Sequence, residues 1–254
     1  MVRYCRETMA VAQLILLELG RRRRRLIFWG IFPVLLLFLN GAITAGRAQL
    51  ELAEALEIVA PPTLVGAALF FSCLGGSVAT VVAEREQNTL KRLFLSPLRG
   101  VSYFLGIVVA HSAIGMGQAL LVFAIALFLG ASFPGSWPLA GLIILLSILA
   151  YVGVGFILGT QFARRTEDVN ALVAAFGVPL LILGGAFMPT SIFPDSLLRL
   201  ARFNPIFHMT EALTRAMADT AAGEHIVFLG AFAIAMVITG WLSYRRMLRL
   251  ERQP

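Results

Sequence analysis

Residues that could do chemistry are concentrated in one short charged segment and in two isolated polar side chains. The segment covers residues 84–100, EREQNTLKRLFLSPLRG, and lies between two long apolar runs. The isolated side chains are His111 and Gln118, two turns apart in the next apolar run. Asp, Glu, Lys and Arg do not occur in the apolar runs, although membrane-embedded ion and proton paths usually contain them. We therefore expect His111 and Gln118 to be either hydrogen-bonded packing residues or substrate contacts.

Sequence signatures of catalysis and of nucleotide binding are absent from the chain. A P-loop requires Gly-Lys-Ser or Gly-Lys-Thr, but the single lysine, Lys91, follows Leu90. The sequence has no HExxH motif, no GxSxG motif and no cluster of metal ligands, and its two cysteines predict no disulfide. We predict that the protein is not an enzyme and that it binds no metal or cofactor itself. Energy for uphill transport would have to come from a partner.

Composition places the chain in a membrane. It has 254 residues, of which 59% are hydrophobic and 14% are charged, whereas about a quarter of the residues in a soluble domain are charged. The apolar residues form runs of about twenty, the length of helix that crosses a bilayer core. A net charge of +7 could indicate a nucleic-acid partner. The positions of the basic residues account for that charge, so we predict the lipid bilayer and no nucleic acid as a partner.

The hydrophobic pattern predicts an all-α polytopic membrane protein with one transmembrane domain, residues 1–254. Residues 1–25 are predicted to form an amphipathic interfacial helix that lies in the headgroup plane. Its predicted apolar face consists of Cys5, Met9, Ala12, Leu16 and Leu19. The six predicted transmembrane helices are residues 26–46, 59–83, 101–130, 139–161, 171–188 and 226–244, and residues 189–223 between spans 5 and 6 are predicted to contain two short helices.

The distribution of basic residues predicts the orientation of these spans. Seventeen of the 21 Lys and Arg residues lie in segments 1–25, 84–100, 162–170 and 245–254, and four lie in the segments on the other side. Lys and Arg are enriched in cytoplasmic loops of membrane proteins. We therefore expect the N-terminus, the C-terminus and segment 84–100 to be cytoplasmic.

Segment 84–100 fits a short amphipathic helix between spans 2 and 3. Leu90, Leu93 and Phe94 form one apolar face, and Pro97 ends the pattern. Such a helix can lie on the membrane surface and can also fill a groove on a soluble partner. The same composition is typical of an ordinary loop with a solvated charged face, which is the alternative.

Two stretches resemble ATP-binding-cassette type-2 (ABC-2) permeases. The run from Ala83 to Leu93 with the following Ser96-Pro97 is similar to the family pattern Glu-Arg-Glu-x-Gly-Thr-Leu-Glu-x-Leu and Ser/Thr-Pro, although Asn88 replaces the usual glycine and Lys91 the frequent acidic residue. The second stretch is similar to the end of such permeases, and it contains GGAFMP at 184–189, Phe193-Pro194, Asn204-Pro205 and a helix that reaches Arg215.

The resemblance implies a transmembrane permease subunit of an ABC exporter in the cell inner (plasma) membrane. A second permease copy or a homologous permease would complete the dimer. A cytoplasmic ABC ATPase, which binds ATP and Mg, would dock on the interfacial helix and on a coupling helix at 84–100. The residues expected at the ATPase interface are Glu84, Arg85, Glu86, Thr89, Leu90, Arg92 and Leu93. The outer segment, marked by Asn204, Pro205 and Arg215, would form short re-entrant-type helices that dip into the outer leaflet.

The resemblance also implies a dimer seam and substrate pathway built from spans 2 and 5. The possible pathway residues are Phe70, Phe71, Ser77, His111, Gln118, Phe176, Leu180 and Phe187, although aromatic stripes are also typical of lipid-facing or core positions. A seam without charges favours a lipophilic drug or lipid-like substrate, and a polysaccharide or glycolipid is the alternative.

Two other functional classes compete with an exporter. A non-transporting membrane scaffold or assembly factor could use the same basic cytoplasmic face, and its partner binding would not depend on nucleotide. An intramembrane enzyme or an ion channel is disfavoured, because the predicted spans contain neither charged residues nor catalytic motifs.

Overall fold

A computed structural model describes residues 2–21, 23–86, 99–163, 165–187, 190 and 193–251. The regular structure in these ranges is helical, and we number the helices in chain order. They are α1 (Val2–Arg21), α2 (Arg23–Ala48), α3 (Leu52–Glu86), α4 (Gly100–Phe128), α5 (Trp137–Phe162), α6 (166–183), α7 (Asp195–Ala201), α8 (Pro205–Met217) and α9 (Gly223–Glu251).

Five of the described helices are long and apolar enough to cross a membrane. They are α2 from Leu26 onward, α3, α4, α5 and α9. The chain is therefore a multi-pass membrane protein. The fifth predicted span, 171–188, falls on α6, which consists of Thr166–Leu172, a π-helical turn at Val173–Gly177 and Val178–Leu183. Helix α6 is not among the five, so a count of six spans stays a prediction.

Helix α3 is the centre of the bundle. It packs against α2, α4, α5 and α8, and 78% of its most apolar window is buried, compared with 17% for α2 and for α9. Helices α2 and α9 therefore present most of their apolar surface outward. Such a surface is stable where lipid surrounds it, because lipid tails are as apolar as the side chains that meet them.

The helix that contains the second predicted span begins at Leu52, seven residues before the predicted start of that span at 59. Residues 52–58 form the first two turns of α3, and its Ala55 and Leu56 are fully buried. Pro61 and Pro62 consequently lie inside the helix and not at its start. Since proline has no N–H, it removes bonds from the α-helical ladder, and a π-helical stretch follows at Leu64–Gly75.

Close packing between α3 and α5 depends on two glycines. Gly155 and Gly159, a small-xxx-small pair that permits close helix approach, lie in contact with Ser77 and Val81 of α3. A Cβ atom at Gly159 would lie 3.0 Å from Val81 Cβ. A side chain at either glycine would push the two helices apart.

Helix α1 buries part of the predicted apolar face, namely Ala12 and Leu19. It packs along α4 through Val11, Ala12, Ile15 and Leu19, all buried. Cys5 and Met9, assigned to the apolar face, are exposed. Because α1 packs on a neighbouring helix, its buried face is determined by that contact and not only by a lipid surface.

The outer segment contains the two short helices that the sequence predicts. They are α7 and α8, with Asn204 as the N-cap of α8 and Pro205 as its first residue. The position of these helices in the outer leaflet stays a prediction. Helix α9 continues beyond the predicted end of span 6 at 244 and ends at Glu251.

Candidate functional site

The start of segment 84–100 is held against the helix that follows this segment. Glu84, near the end of α3, accepts a hydrogen bond of 2.5 Å from the phenol of Tyr103 in the first turn of α4. Glu84 is half-buried and Tyr103 is buried. The Glu84 carboxylate therefore faces a neighbouring helix, and its bond joins the two ends of the segment.

Arg85 connects the same point to a third helix. Its Nη1 donates hydrogen bonds to the carbonyl oxygens of Gly159 and Ala163, both at 3.2 Å. These oxygens lie in the last turn of α5 and just after it, where carbonyl groups lack helical partners. A positive charge at a helix C-terminus also complements the helix dipole. The next residue, Glu86, is exposed.

Helix α1 is bonded to the far end of the segment. Ser102 Oγ donates a hydrogen bond of 2.8 Å to Glu7 Oε2, and Arg3 forms an i,i+4 ion pair of 3.1 Å with the same carboxylate. The Ser102 bond and the nearby Arg3 hold the pKa of Glu7 below its ordinary value. The Arg99 guanidinium lies 4.3 Å from the centroid of the Tyr4 ring, within cation–π distance.

We call these contacts the junction, defined by Glu7, Glu84, Arg85, Arg99, Ser102 and Tyr103. The junction joins α1, α3, α4 and α5 at one end of the bundle. Any displacement of segment 84–100 would act on all four helices. The other residues expected at the ATPase interface, Thr89, Leu90, Arg92 and Leu93, lie outside the described residues, so their role stays a prediction.

An aromatic cluster extends the junction to α9. Tyr103 stacks on Tyr244 with ring centroids 5.6 Å apart. Tyr244 also contacts Phe156 of α5 at 6.0 Å and Trp241 at 5.9 Å. Sequence analysis missed this cluster. The sequence feature that could have predicted it is an aromatic residue near the start of predicted span 3 and another at the end of predicted span 6, two ends that lie on the same side of the membrane in the predicted topology.

Four predicted pathway residues are buried inside the subunit, namely Phe70, Ser77, His111 and Gln118. Phe70 meets Tyr151 edge-on at a centroid distance of 5.8 Å and lies against Gly177 of α6. Ser77 donates a hydrogen bond of 3.0 Å to the carbonyl oxygen of Leu74. In this arrangement these side chains hold helices together.

His111 and Gln118 connect α4 to two different helices. His111 Nδ1 lies 3.1 Å from the carbonyl oxygen of Ser72 in α3. Gln118 Nε2 donates a hydrogen bond of 2.9 Å to the carbonyl oxygen of Trp29 in α2. These bonds favour the interpretation of His111 and Gln118 as hydrogen-bonded packing residues. Substrate contact by either residue stays a prediction.

The other predicted pathway residues lie closer to the surface of the subunit. Phe176 and Leu180 of α6 are 67% and 42% exposed. Phe71 and Phe187 pack at the edge of the core, and Phe71 meets Phe32 of α2 edge-on at 5.2 Å. The structure therefore divides the predicted pathway residues into a buried group in α3 and α4 and a less buried group, which consists of Phe71 in α3 and Phe176, Leu180 and Phe187 in and just after α6.

Asn204 joins the outer segment to α6. Its side-chain oxygen accepts a hydrogen bond of 3.1 Å from the backbone N–H of Ile206, which caps α8. Its Nδ2 donates a bond of 2.6 Å to the carbonyl oxygen of Leu180 in the last turn of α6. Asn204 thus stabilises its own helix and holds that helix against α6.

Arg215 forms an ion pair with Glu211, and Glu211 in turn bonds to the chain that follows α6. The two side chains form an i,i+4 ion pair at 3.2 Å. The other oxygen of Glu211 accepts a hydrogen bond of 3.1 Å from Thr190, which follows α6. Glu211 therefore attaches α8 to the chain after α6 at a second point.

Comparison with known proteins gives a family and several relatives. A family model described as "ABC-2 family transporter protein" matches residues 30–242. Similar proteins in Escherichia coli (strain K12) include the "Probable multidrug ABC transporter permease YbhR", 28% identical over 67% of this chain and 46% of the relative. The "Inner membrane transport permease YadH" is 24% identical over 67% of this chain and 69% of the relative. The chain spans about half the length of YbhR, the first of these relatives.

Proposed function

The chain belongs to the ABC-2 transporter family, and from this premise we propose that it is the transmembrane permease subunit of an ABC exporter. It forms the translocation pathway as a dimer with a second copy or with a homologous permease. A separate cytoplasmic ATPase binds ATP and Mg and supplies the energy, so the permease itself is not catalytic.

The junction is the observation that carries the coupling proposal. Glu84 and Arg85 stand where segment 84–100 begins, and their hydrogen bonds reach α4 and α5. Arg99, at the end of the segment, contacts α1. A closing movement of the ATPase against this segment would therefore be passed to several spanning helices at once. In this proposal the ATPase contacts the exposed face of α1 and the predicted interface residues, which are Glu84, Arg85, Glu86, Thr89, Leu90, Arg92 and Leu93.

An even number of spans is required if both termini are cytoplasmic, so we infer that α6 is a sixth span beside the five candidate spans. Helix α6 covers residues 166–183, and 18 residues at about 1.5 Å each are close to the shortest helix that spans a bilayer core. The basic residues at both termini support a cytoplasmic location of these ends. Helices α7 and α8 then lie at the outer side of the inner membrane.

The exposed face of α6 is the best candidate for the substrate pathway. Phe176 and Leu180, which are four residues apart, lie on it and are exposed. This apolar face supports a lipophilic drug or lipid-like substrate, because a polar substrate would lose hydration there without gaining hydrogen bonds.

Co-expression with the ABC ATPase encoded beside the gene tests the coupling. One variant carries Arg92→Glu and Leu90→Asp, which change segment 84–100 without touching Glu84 or Arg85. The matched control is Glu51→Arg, a charge reversal at the exposed position before α3, on the opposite side of the membrane in this topology. We expect the wild type and the control to copurify with the ATPase and to support ATP hydrolysis, and the double variant to lose both.

Transport of a fluorescent lipophilic dye by proteoliposomes containing both subunits tests the cargo. ATP-dependent movement of the dye, reduced by Phe176→Ser, is the expected result. If the partner binds equally well to the wild type and to the Leu90→Asp, Arg92→Glu variant, with or without nucleotide, the result would favour a non-transporting membrane scaffold. A coupled ATPase that responds to a glycolipid or polysaccharide and not to the dye would replace the proposed cargo.

A further inference from the structure

Two exposed arginines stand at the corner where α1 meets α2. Helix α1 ends at Arg21, and α2 begins at Arg23. Arg21 and Arg24 are exposed, and neither forms a hydrogen bond or an ion pair with a residue that the structure describes. The sequence makes this corner strongly basic, because residues 21–25 are all arginines and residues 19–50 contain no Asp or Glu. The two exposed guanidinium groups are therefore available to an anion from outside the chain.

An exposed apolar face of α2 begins next to Arg24. Three apolar residues follow Arg24 at helical spacing, namely Ile27, Phe28 and Ile31. They share the face of Arg24, because residues three, four and seven positions apart lie above one another on a helix. Each of the three side chains is more than half exposed. The part of α2 that is apolar enough to cross a membrane starts at Leu26, so this face lies in the hydrocarbon and Arg24 lies at the level of the headgroups.

Helix α1 adds apolar surface to the same corner. Leu14 and Leu17 precede Arg21 at helical spacing, and both are exposed. The corner thus has cations beside apolar surface on two helices. A phospholipid offers the complementary arrangement, a phosphate joined to hydrocarbon chains. A soluble acidic protein could meet the arginines, but it could not cover the face of α2 inside the membrane.

We propose that Arg21 and Arg24 bind the phosphate of an anionic phospholipid and that its acyl chains lie along the exposed face of α2. A guanidinium group matches phosphate oxygens with two parallel hydrogen bonds. Basic residues next to a spanning helix are attracted to anionic lipids, with a gain in affinity of about fivefold per residue. A zwitterionic phospholipid carries the same phosphate, but its own cation competes with the arginines. The site therefore prefers a lipid with a net negative charge.

The bound lipid would hold the second half of α1 against the membrane. The first half is attached to α4 by the bond between Glu7 and Ser102. With the lipid in place α1 is fixed at both ends, and the ATPase contact proposed above falls on its first half, where Arg3 and Arg6 are exposed. The lipid site goes beyond the proposed function, because it requires only that α2 crosses the membrane. It is therefore tested on the permease without an ATPase.

Lipid retention by the purified full-length chain tests the site. The detergent-solubilised protein is mixed with equal amounts of phosphatidylglycerol and phosphatidylcholine that have the same acyl chains, and native mass spectrometry measures how much of each lipid stays bound. We expect the wild type to retain phosphatidylglycerol about tenfold more strongly, with a preference that falls as the salt concentration rises.

Two double variants of the arginines measure their part in this preference. Arg21→Gln combined with Arg24→Gln should reduce the preference about tenfold. Arg21→Lys combined with Arg24→Lys should give an intermediate preference, because lysine keeps the charge but lacks the planar group that matches phosphate. The other three arginines of the run remain in both variants, so the basic end of α2 that orients the span is preserved.

The matched control is Arg245→Gln combined with Arg246→Gln, at two exposed arginines near the end of α9, and it should leave the preference unchanged. A wild type that retains both lipids equally, or a control that loses as much preference as the double glutamine variant, would overturn the proposal. Displacement of phosphatidylglycerol by an equal concentration of glycerol phosphate would also overturn it and assign the arginines to a soluble phosphate. The comparison of the two lipids on the wild type does not depend on the folding of any variant.

Discussion

The junction and the outer segment are stabilised by different kinds of contact. At the junction, Glu84 bonds to the next helix, α4, across 19 residues, and the two bonds of Arg85 cross 74 and 78 residues. In the outer segment, Asn204 caps its own helix, and Glu211 pairs with Arg215 one turn away. Two hydrogen bonds then attach this local unit to α6 and the residues after it.

This difference indicates where movement can be transmitted. A displacement at the junction is shared by α1, α3, α4 and α5, because side chains there bond to neighbouring helices or to their backbone carbonyls. Asn204 and Glu211 of the outer segment bond instead within their own helix and to α6 and Thr190. We therefore expect substitutions at the junction to affect transport more than substitutions of similar chemistry in the outer segment.

Arg85→Ala should have the largest effect. It removes both hydrogen bonds to the end of α5, and bonds to a charged group contribute about 1.5–3 kcal/mol each when shielded from water. Since Arg85 is only partly buried, we expect a loss of about 2 kcal/mol in the free energy of unfolding and near-complete loss of transport. The measurements are the thermal midpoint and dye transport in proteoliposomes. Arg245→Ala, at an exposed arginine, is the control, and an equal loss there would contradict the role of Arg85.

Tyr103→Phe should separate ATP hydrolysis from transport. The ring can still stack on Tyr244, but the half-buried Glu84 loses its donor, at a cost of about 1–2 kcal/mol. We expect the ATPase to copurify and to remain active while transport per ATP falls several-fold. The matched control is Tyr4→Phe, because Tyr4 offers its ring and not its hydroxyl to Arg99. If Tyr103→Phe transports as well as Tyr4→Phe, the bond to Glu84 has no part in coupling.

Asn204→Ala should destabilise the outer segment with a smaller effect on transport. It removes the α8 cap and the bond to Leu180, and loss of an N-cap costs about 1 kcal/mol. Asn204→Ser preserves a capping oxygen but lacks the amide donor, so its thermal midpoint should lie between those of the wild type and Asn204→Ala. Hydrogen exchange of residues 205–217 would localise the change. A spread of increased exchange into α4 or α5 would contradict the local character of this segment.

Arg215→Ala should have the smallest effect. An i,i+4 ion pair on a helix contributes about 0.2–0.5 kcal/mol, and Glu211 keeps its bond to Thr190. We expect a shift of the thermal midpoint that is smaller than for Asn204→Ala, with transport close to that of the wild type. A loss of transport as large as that of Arg85→Ala would show that the outer segment is as important for transport as the junction.

Local features of the structure followed from local sequence patterns. The cap at Asn204 and the pair Glu211–Arg215 involve residues within one turn of each other, so their spacing predicted them. The five described spanning helices were also predictable, since the mean hydropathy of a window depends on composition alone. The start of α3 was missed because the buried apolar face of its first turns, Ala55 and Leu56, alternates with acidic residues.

The polar contacts of the candidate site could not be predicted in the same way. The segment pattern singled out Glu84 and Arg85 as charged residues for a partner. It contained no sign that Tyr103, Gly159 and Ala163 would be their hydrogen-bond partners.

The sequence by itself determined that this is a multi-pass membrane protein of the ABC-2 family, since hydrophobic runs and short motifs are properties of neighbouring residues. Only the tertiary structure decided that α3 is the buried centre, that α1 packs on α4, and that the junction side chains bond to helices and not only to a partner. The physical reason is that these contacts depend on how close the helices approach. That approach depends on side chains along the whole length of both helices, such as Gly155 against Ser77.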